Sequence, residues 1–164
     1  MNIFVLSKNI KKYAKYHSDK HVVKMILEYS QILSTLCRLS GIDVGYKQIH
    51  IRPSLCYLGR GVSKSNWLCW LKKLNYALHE EYKYRYGKDK IHKAYFVSEN
   101  LPIPILPKLG MTSFAQAMPE RYKNDNAVTA YRDYYLNEKH DIAFWTKRLK
   151  PYWFRSGKIA DTHV

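Results

Sequence analysis

The chain has 164 residues, 46% of them hydrophobic, enough for one domain with a real core and no second unit. Lysine and arginine outnumber aspartate and glutamate by 28 to 13, a formal charge of +15, and 15% of the chain is aromatic. That balance attracts a polyanion, and interleaved rings stack on bases or wedge between them, so nucleic acid is the expected partner, in the first place double-stranded DNA. A membrane is the competitor for the charge. It is excluded by the lack of a run of about 18 apolar residues, of a basic helix with a wholly apolar back, and of a lipidation signal. The opening residues lack the basic start and cleavage site of a secretory signal, so an intracellular location is expected. Cys37, Cys56 and Cys69 are odd in number and widely spaced in apolar helical contexts, which reads as reduced core thiols.

In chain order, residues 2–6 are β-branched and aromatic and predict a strand or an extended segment tucked against the core. Residues 8–16 predict a short basic helix. Residues 17–39 predict the helix around which the rest is built: Ser18 or Asp19 caps it, Val22, Met25, Ile26, Tyr29, Ile32, Leu33 and Leu36 share one face, and Gly41 stands at its stop. Beside that face His21, Lys24, Glu28, Gln31 and Thr35 recur at steps of three and four as a narrow polar stripe. Val23 and Leu27 bound it on the other side, as for groups lining a cleft; an exposed Lys24 and Glu28 pair with a rim histidine is the plainer alternative.

Residues 40–52 read as a loop carrying Lys47, His50 and Arg52, followed by a short helix at 54–58 and a turn, Gly59-Arg60-Gly61, that suits a phosphate. A long helix capped by Ser63 runs to Tyr86, with Trp67, Trp70, Leu71, Leu74, Leu78 and Tyr82 at helical spacing and Gly87 as the stop. A short helix is expected near Tyr95. The proline-aliphatic alternation at 101–107 predicts an extended crossing, and Thr112 or Ser113 opens a turn up to Pro119. A helix from about Asn126 to His140, continuing through Trp145 to Arg148, and a basic aromatic tail from Pro151 complete a mainly α, single-domain reading with an extended N-terminal segment against the central helix. No phosphate-binding glycine loop or redox motif is present, so no cofactor is expected; His17, His21 and Glu28 have helix-face spacing that permits a metal without demanding one.

An extended chain start, then a helix with His21 and, seven residues on, Glu28, resembles the pyrimidine-dimer DNA glycosylases of the phage endonuclease V type. The resemblance runs on through Arg52-Pro53-Ser54, the Gly59 to Gly61 turn, the long amphipathic helix and the Lys150-Pro-Tyr-Trp-Phe-Arg155 run, about half the chain. It departs from the family at Leu27 and Gln31, where arginines flank the family's glutamate. The resemblance implies a helical enzyme that cuts the glycosidic bond of a damaged or modified pyrimidine and then acts as an abasic-site lyase. It implies the amine of Met1 as nucleophile, Glu28 as the acidic residue and His21 as its neighbour. An α-amine of pKa about 7.7 to 8.0 is roughly a third unprotonated near pH 7.5, against about 0.1% for an ordinary lysine, which makes Met1 the better amine and Lys24 the reserve. Lys47, Arg52, Arg60, Lys150 and Arg155 are then the phosphate contacts, with Lys24, Gln31 and His50 also on the substrate. His21 and Glu28 are expected in one cleft, close to the chain start and ringed by basic side chains. Two alternatives remain from other classes, a non-catalytic nucleic-acid-binding protein and a metal-dependent nuclease using His17, His21 and Glu28.

Overall fold

The computed structural model describes residues 3–47, 65–102, 114 and 116–155. Residues 3–7 are extended and buried, but they pair with no strand: among the described residues all regular structure is helical. Asn9 then caps α1 (Ile10–Tyr16), its Oδ1 accepting the Lys12 N–H at 3.0 Å. His17 and Ser18 turn the chain into α2 (Asp19–Leu39), the central helix, and all seven residues of its expected apolar face are buried. Burial of one such side chain contributes about 1.5–3 kcal/mol, so this face outweighs any single polar contact on the helix. The helix stops where Gly41 takes φ +81 and returns its N–H to the Arg38 carbonyl.

Against α1 and α2 lies α3 (Ser65–Tyr86), with Leu68, Leu71, Leu74 and Leu78 turned inward, and α4 (Lys93–Glu99) packs on both α2 and α3. Two later helices, α5 (Ala127–Glu138) and α6 (Tyr152–Arg155), carry the chain back past its own start. Single 3-10 turns precede and follow α5, at Glu120–Tyr122 and His140–Ile142.

The expected continuation of α5 to Arg148 does not occur. Beyond Ile142 the backbone is put to other use: the Phe144 carbonyl accepts the Asp19 N–H at 2.8 Å, and the Thr146 N–H donates to the Asp19 carboxylate at 3.0 Å. A helix through these residues would withdraw both groups from the start of α2, whose first N–H groups have no partner in their own helix. Arg85 joins the same junction. Its side chain, wholly buried, donates to Asp19 and to Glu81 at 2.8 Å each and to the Lys15 carbonyl at 3.2 Å, while Arg148 grips both oxygens of Glu81 at 2.8 and 2.9 Å. Four charges from α2, α3 and the segment after α5 thus neutralise one another at one buried knot.

The thiols do not behave alike. Cys37 is buried, its thiol pushed up in pKa by that burial, whereas Cys69 is exposed, contrary to the core reading. Its neighbour Leu68 faces the core, and one residue further on a helix is about 100° round. Phe114 and residues 116–118 are not helical. Met1, Cys56, Ser63, the short helix at 54–58, the glycine turn with Arg60, the residues His50 and Arg52, and nearly all of the proline segment lie outside the described residues.

Candidate functional site

The N-terminal segment and the start of α2 meet at His21. Phe4 sets its ring 5.2 Å from the imidazole, and its backbone reaches Tyr29 two helical turns further along. Tyr135 of α5 packs against both rings, and its hydroxyl lies 2.8 Å from Nδ1, accepts the Ser18 N–H at 2.8 Å and donates to Ser18 Oγ at 2.8 Å. Ser18 Oγ is itself 2.9 Å from Nδ1, which explains why this helix-capping serine caps nothing with its side chain. Two hydroxyls thus lie within hydrogen-bond distance of Nδ1. Burial, then the charges of Lys24, Lys139 and Lys20, pull the His21 pKa down to about 4. At neutral pH His21 is therefore an uncharged ring.

One turn along the stripe Lys24 is open to solvent, and its Nζ lies 3.4 Å from Glu28, whose side chain keeps only 14% of its exposure. Glu28 sits two turns from His21, about 10 Å along the axis, with Lys24 between them. Gln31 is half-buried. The row then leaves the surface: Thr35 is buried and its hydroxyl bonds back to the Gln31 carbonyl at 2.9 Å. The outer wall is incomplete too, since Val23 is half-buried and Leu27 is exposed.

The other expected contacts divide. Lys150 and Arg155 are exposed and adjacent, the Arg155 guanidinium donating to the Lys150 carbonyl at 2.8 Å, and both border Phe154, whose ring meets Tyr135 edge-on at 6.3 Å. They belong to the His21 end. Lys47 does not: it lines a small recess with Arg38, Gly41 and Asp43, beyond the far end of α2 and about 25 Å along the axis from His21. One extended ligand can touch both places; one reaction centre cannot. Met1, His50, Arg52 and Arg60 are outside the described residues.

The metal-nuclease alternative finds no ligand group. His17 is fully buried, with Nδ1 at 2.9 Å from the Tyr13 carbonyl, its Nε2 facing no polar partner and its pKa lowered, first by burial. Among the described residues no three of His, Cys, Asp and Glu stand close enough to hold an ion. Nor is any described helix long and apolar enough to cross a membrane.

Three residues of this patch were not among the expected site residues: Ser18, read only as a cap, and Tyr135 and Arg132. Arg132 donates to the Leu6 carbonyl at 3.0 Å and lies over the rings of Tyr16, Tyr152 and Trp153 at 5.5 to 5.7 Å, clasping the chain start to the C-terminal aromatic cluster. The available signal was the pair Tyr131 and Tyr135, one turn apart on a helix and both buried.

These features define a mainly α domain in which the extended chain start and the central helix share a half-buried polar patch under a positive field. The chain matches no protein-family model, no curated protein and no solved structure.

Proposed function

We propose that the protein is a DNA glycosylase with associated abasic-site lyase activity, acting on damaged or modified pyrimidines through the amine of Met1, with Glu28 as the acidic group. One observation carries this reading: the buried extended segment lays Phe4 against His21, on the helix that presents Glu28.

In this reading the Met1 amine works together with the Glu28 carboxylate. The amine adds to C1′ of the damaged nucleotide as the glycosidic C1′–N bond breaks, and the base leaves with the bonding pair and takes a proton. Loss of the ammonium proton leaves a neutral N,O-acetal at C1′; the C1′–O4′ bond then breaks, O4′ takes a proton, and the opened sugar is held as a protonated Schiff base whose positive charge the Glu28 carboxylate favours. Removal of a C2′ proton then expels the 3′ phosphate, and water releases the sugar and restores the amine. His21 is neutral and held by Ser18 and Tyr135. Lys20, Lys24, Lys139, Lys150 and Arg155 supply positive charge near that end of α2 for the phosphates.

The test is a panel of duplexes with defined pyrimidine lesions, incubated with protein and borohydride. Covalent trapping is expected, with the adduct at Met1; an N-terminal extension should abolish it, and trapping that survives moves the nucleophile to Lys24. Glu28→Gln should keep DNA affinity and lose cleavage by at least a hundredfold, since an amide keeps the shape and carries neither charge nor proton. Full activity in that variant removes Glu28 from the mechanism.

A second reading is favoured by the burial of His21, only 3% exposed and fully engaged at Nδ1, which suits a structural role in a non-catalytic nucleic-acid-binding protein. Binding without cleavage on every lesion would establish it.

A further inference from the structure

On the other side of the molecule α1, α3 and α4 border an open groove of about 1060 Å³. Leu33 is its contribution from α2, and Leu33 lies about 140° round that helix from Glu28 and about 120° from His21, so the groove belongs to a different face from the polar stripe. Ile10, Ala14, Leu33 and Ala77 give it an apolar floor. Asn75 also lines it, with Nδ2 donating to Ser30 and Ser98 while its buried Oδ1 has no partner.

Its charge is one-sided. Glu81 is taken by Arg85 and Arg148, and Glu80 by Lys83 at 3.0 Å. That leaves Lys11 and Lys15, one turn apart on α1, and Lys73 and Lys88 in the same lining, with no described carboxylate paired to any of the four and only Glu99 against them. Tyr76, one turn from Lys73 on α3, stands 55% exposed in the same lining.

We infer that this groove binds single-stranded nucleic acid, its lysines following the phosphates and Tyr76 stacking on a base. A cationic channel with an exposed ring and an apolar floor is the arrangement that strand recognition without sequence preference requires. A duplex hides the faces of its bases, so it offers the lysines phosphates but leaves Tyr76 and the floor unmatched. An acidic peptide satisfies the charge and lacks the flat rings.

The experiment reads binding, so it stands whether or not the protein cleaves DNA. Anisotropy of a labelled oligothymidylate should show affinity falling about tenfold or more in Tyr76→Ala, the usual loss for a stacked base. Lys11→Glu with Lys73→Glu should weaken binding and flatten its salt dependence, while Lys123→Glu, an exposed lysine elsewhere, should do far less. Circular dichroism checks that each variant is folded. A strand carrying 5-iodouracil should crosslink to Tyr76. Unchanged affinity in the groove variants, a crosslink on the α2 stripe, or equal competition by polyglutamate would each overturn the inference.

Discussion

At its start α2 is fastened by polar contacts that cross the chain, Asp19 to Arg85, Phe144 and Thr146, and His21 to Tyr135. At its end it is fastened by apolar packing around Leu33, Leu36 and Cys37 and by Ser30, Ser34 and Thr35, whose hydroxyls donate to carbonyls of their own helix. The difference lies in what a broken contact leaves behind. Loss of a cross-chain partner leaves a buried polar or charged group short of a bond, whereas a back-bonding hydroxyl abandons a carbonyl that keeps its helical N–H. The start of the helix should therefore be far more sensitive to the loss of one polar atom than its end.

Arg85 gives the largest test. Arg85→Met keeps much of the volume but strands Glu81 and Asp19 with one cation fewer between them, and breaking such a buried pair costs about 3–5 kcal/mol. Urea unfolding should show a loss of that order. A loss under about 1 kcal/mol would mean that Arg148 and solvent satisfy the carboxylates, and that the knot is not what holds the start of α2.

Acid should act on the same region. His21 in the folded chain has a pKa of about 4, below its ordinary 6.5, so between those values the unfolded chain binds the proton and the folded chain does not. Stability is then whole above about pH 6.5 and is lost as pH falls to about 4, by about 3 kcal/mol at most. His17, also lowered, adds in the same direction. The His21 ring proton resonance should stay constant from pH 8 down to about 5.5; titration near pH 6.5 would show that the Ser18 and Tyr135 cage is open in solution.

The same contrast explains how much of the molecule was legible in its sequence. Apolar periodicity is a local signal, so the buried face of α2, the inward leucines of α3 and the glycine stops at Gly41 and Gly87 could be read directly. The polar stripe had the right spacing for a cleft, but spacing cannot show that His21 turns under Phe4 and Tyr135, or that Thr35 dips into the core. Those outcomes depend on partners more than 100 residues away in the case of Tyr135. The end of α5 failed for that reason as well: helix-compatible residues at 143–148 were taken up by Asp19, a competitor that local propensity does not contain.

Two single-hydroxyl deletions sharpen the comparison to one atom each. Tyr135→Phe keeps the ring against Phe4 and Phe154 and removes the oxygen that accepts the buried Ser18 N–H, so it should cost about 1–3 kcal/mol and shift the His21 titration upward as the cage loosens. Thr35→Val is the matching deletion at the other end and should have the smallest effect. The new side chain has the same shape and nearly the same helix propensity, the Gln31 carbonyl keeps its backbone donor, and a buried methyl replaces a hydroxyl that bonded only within its own helix. Its unfolding free energy should stay within about 0.5 kcal/mol of the parent, with DNA affinity unchanged. A marked loss of affinity in a protein of normal stability would put the Thr35 hydroxyl on the ligand and carry the polar stripe to the end of α2. A loss of stability equal to that of Tyr135→Phe would show that the two ends of the helix are held alike.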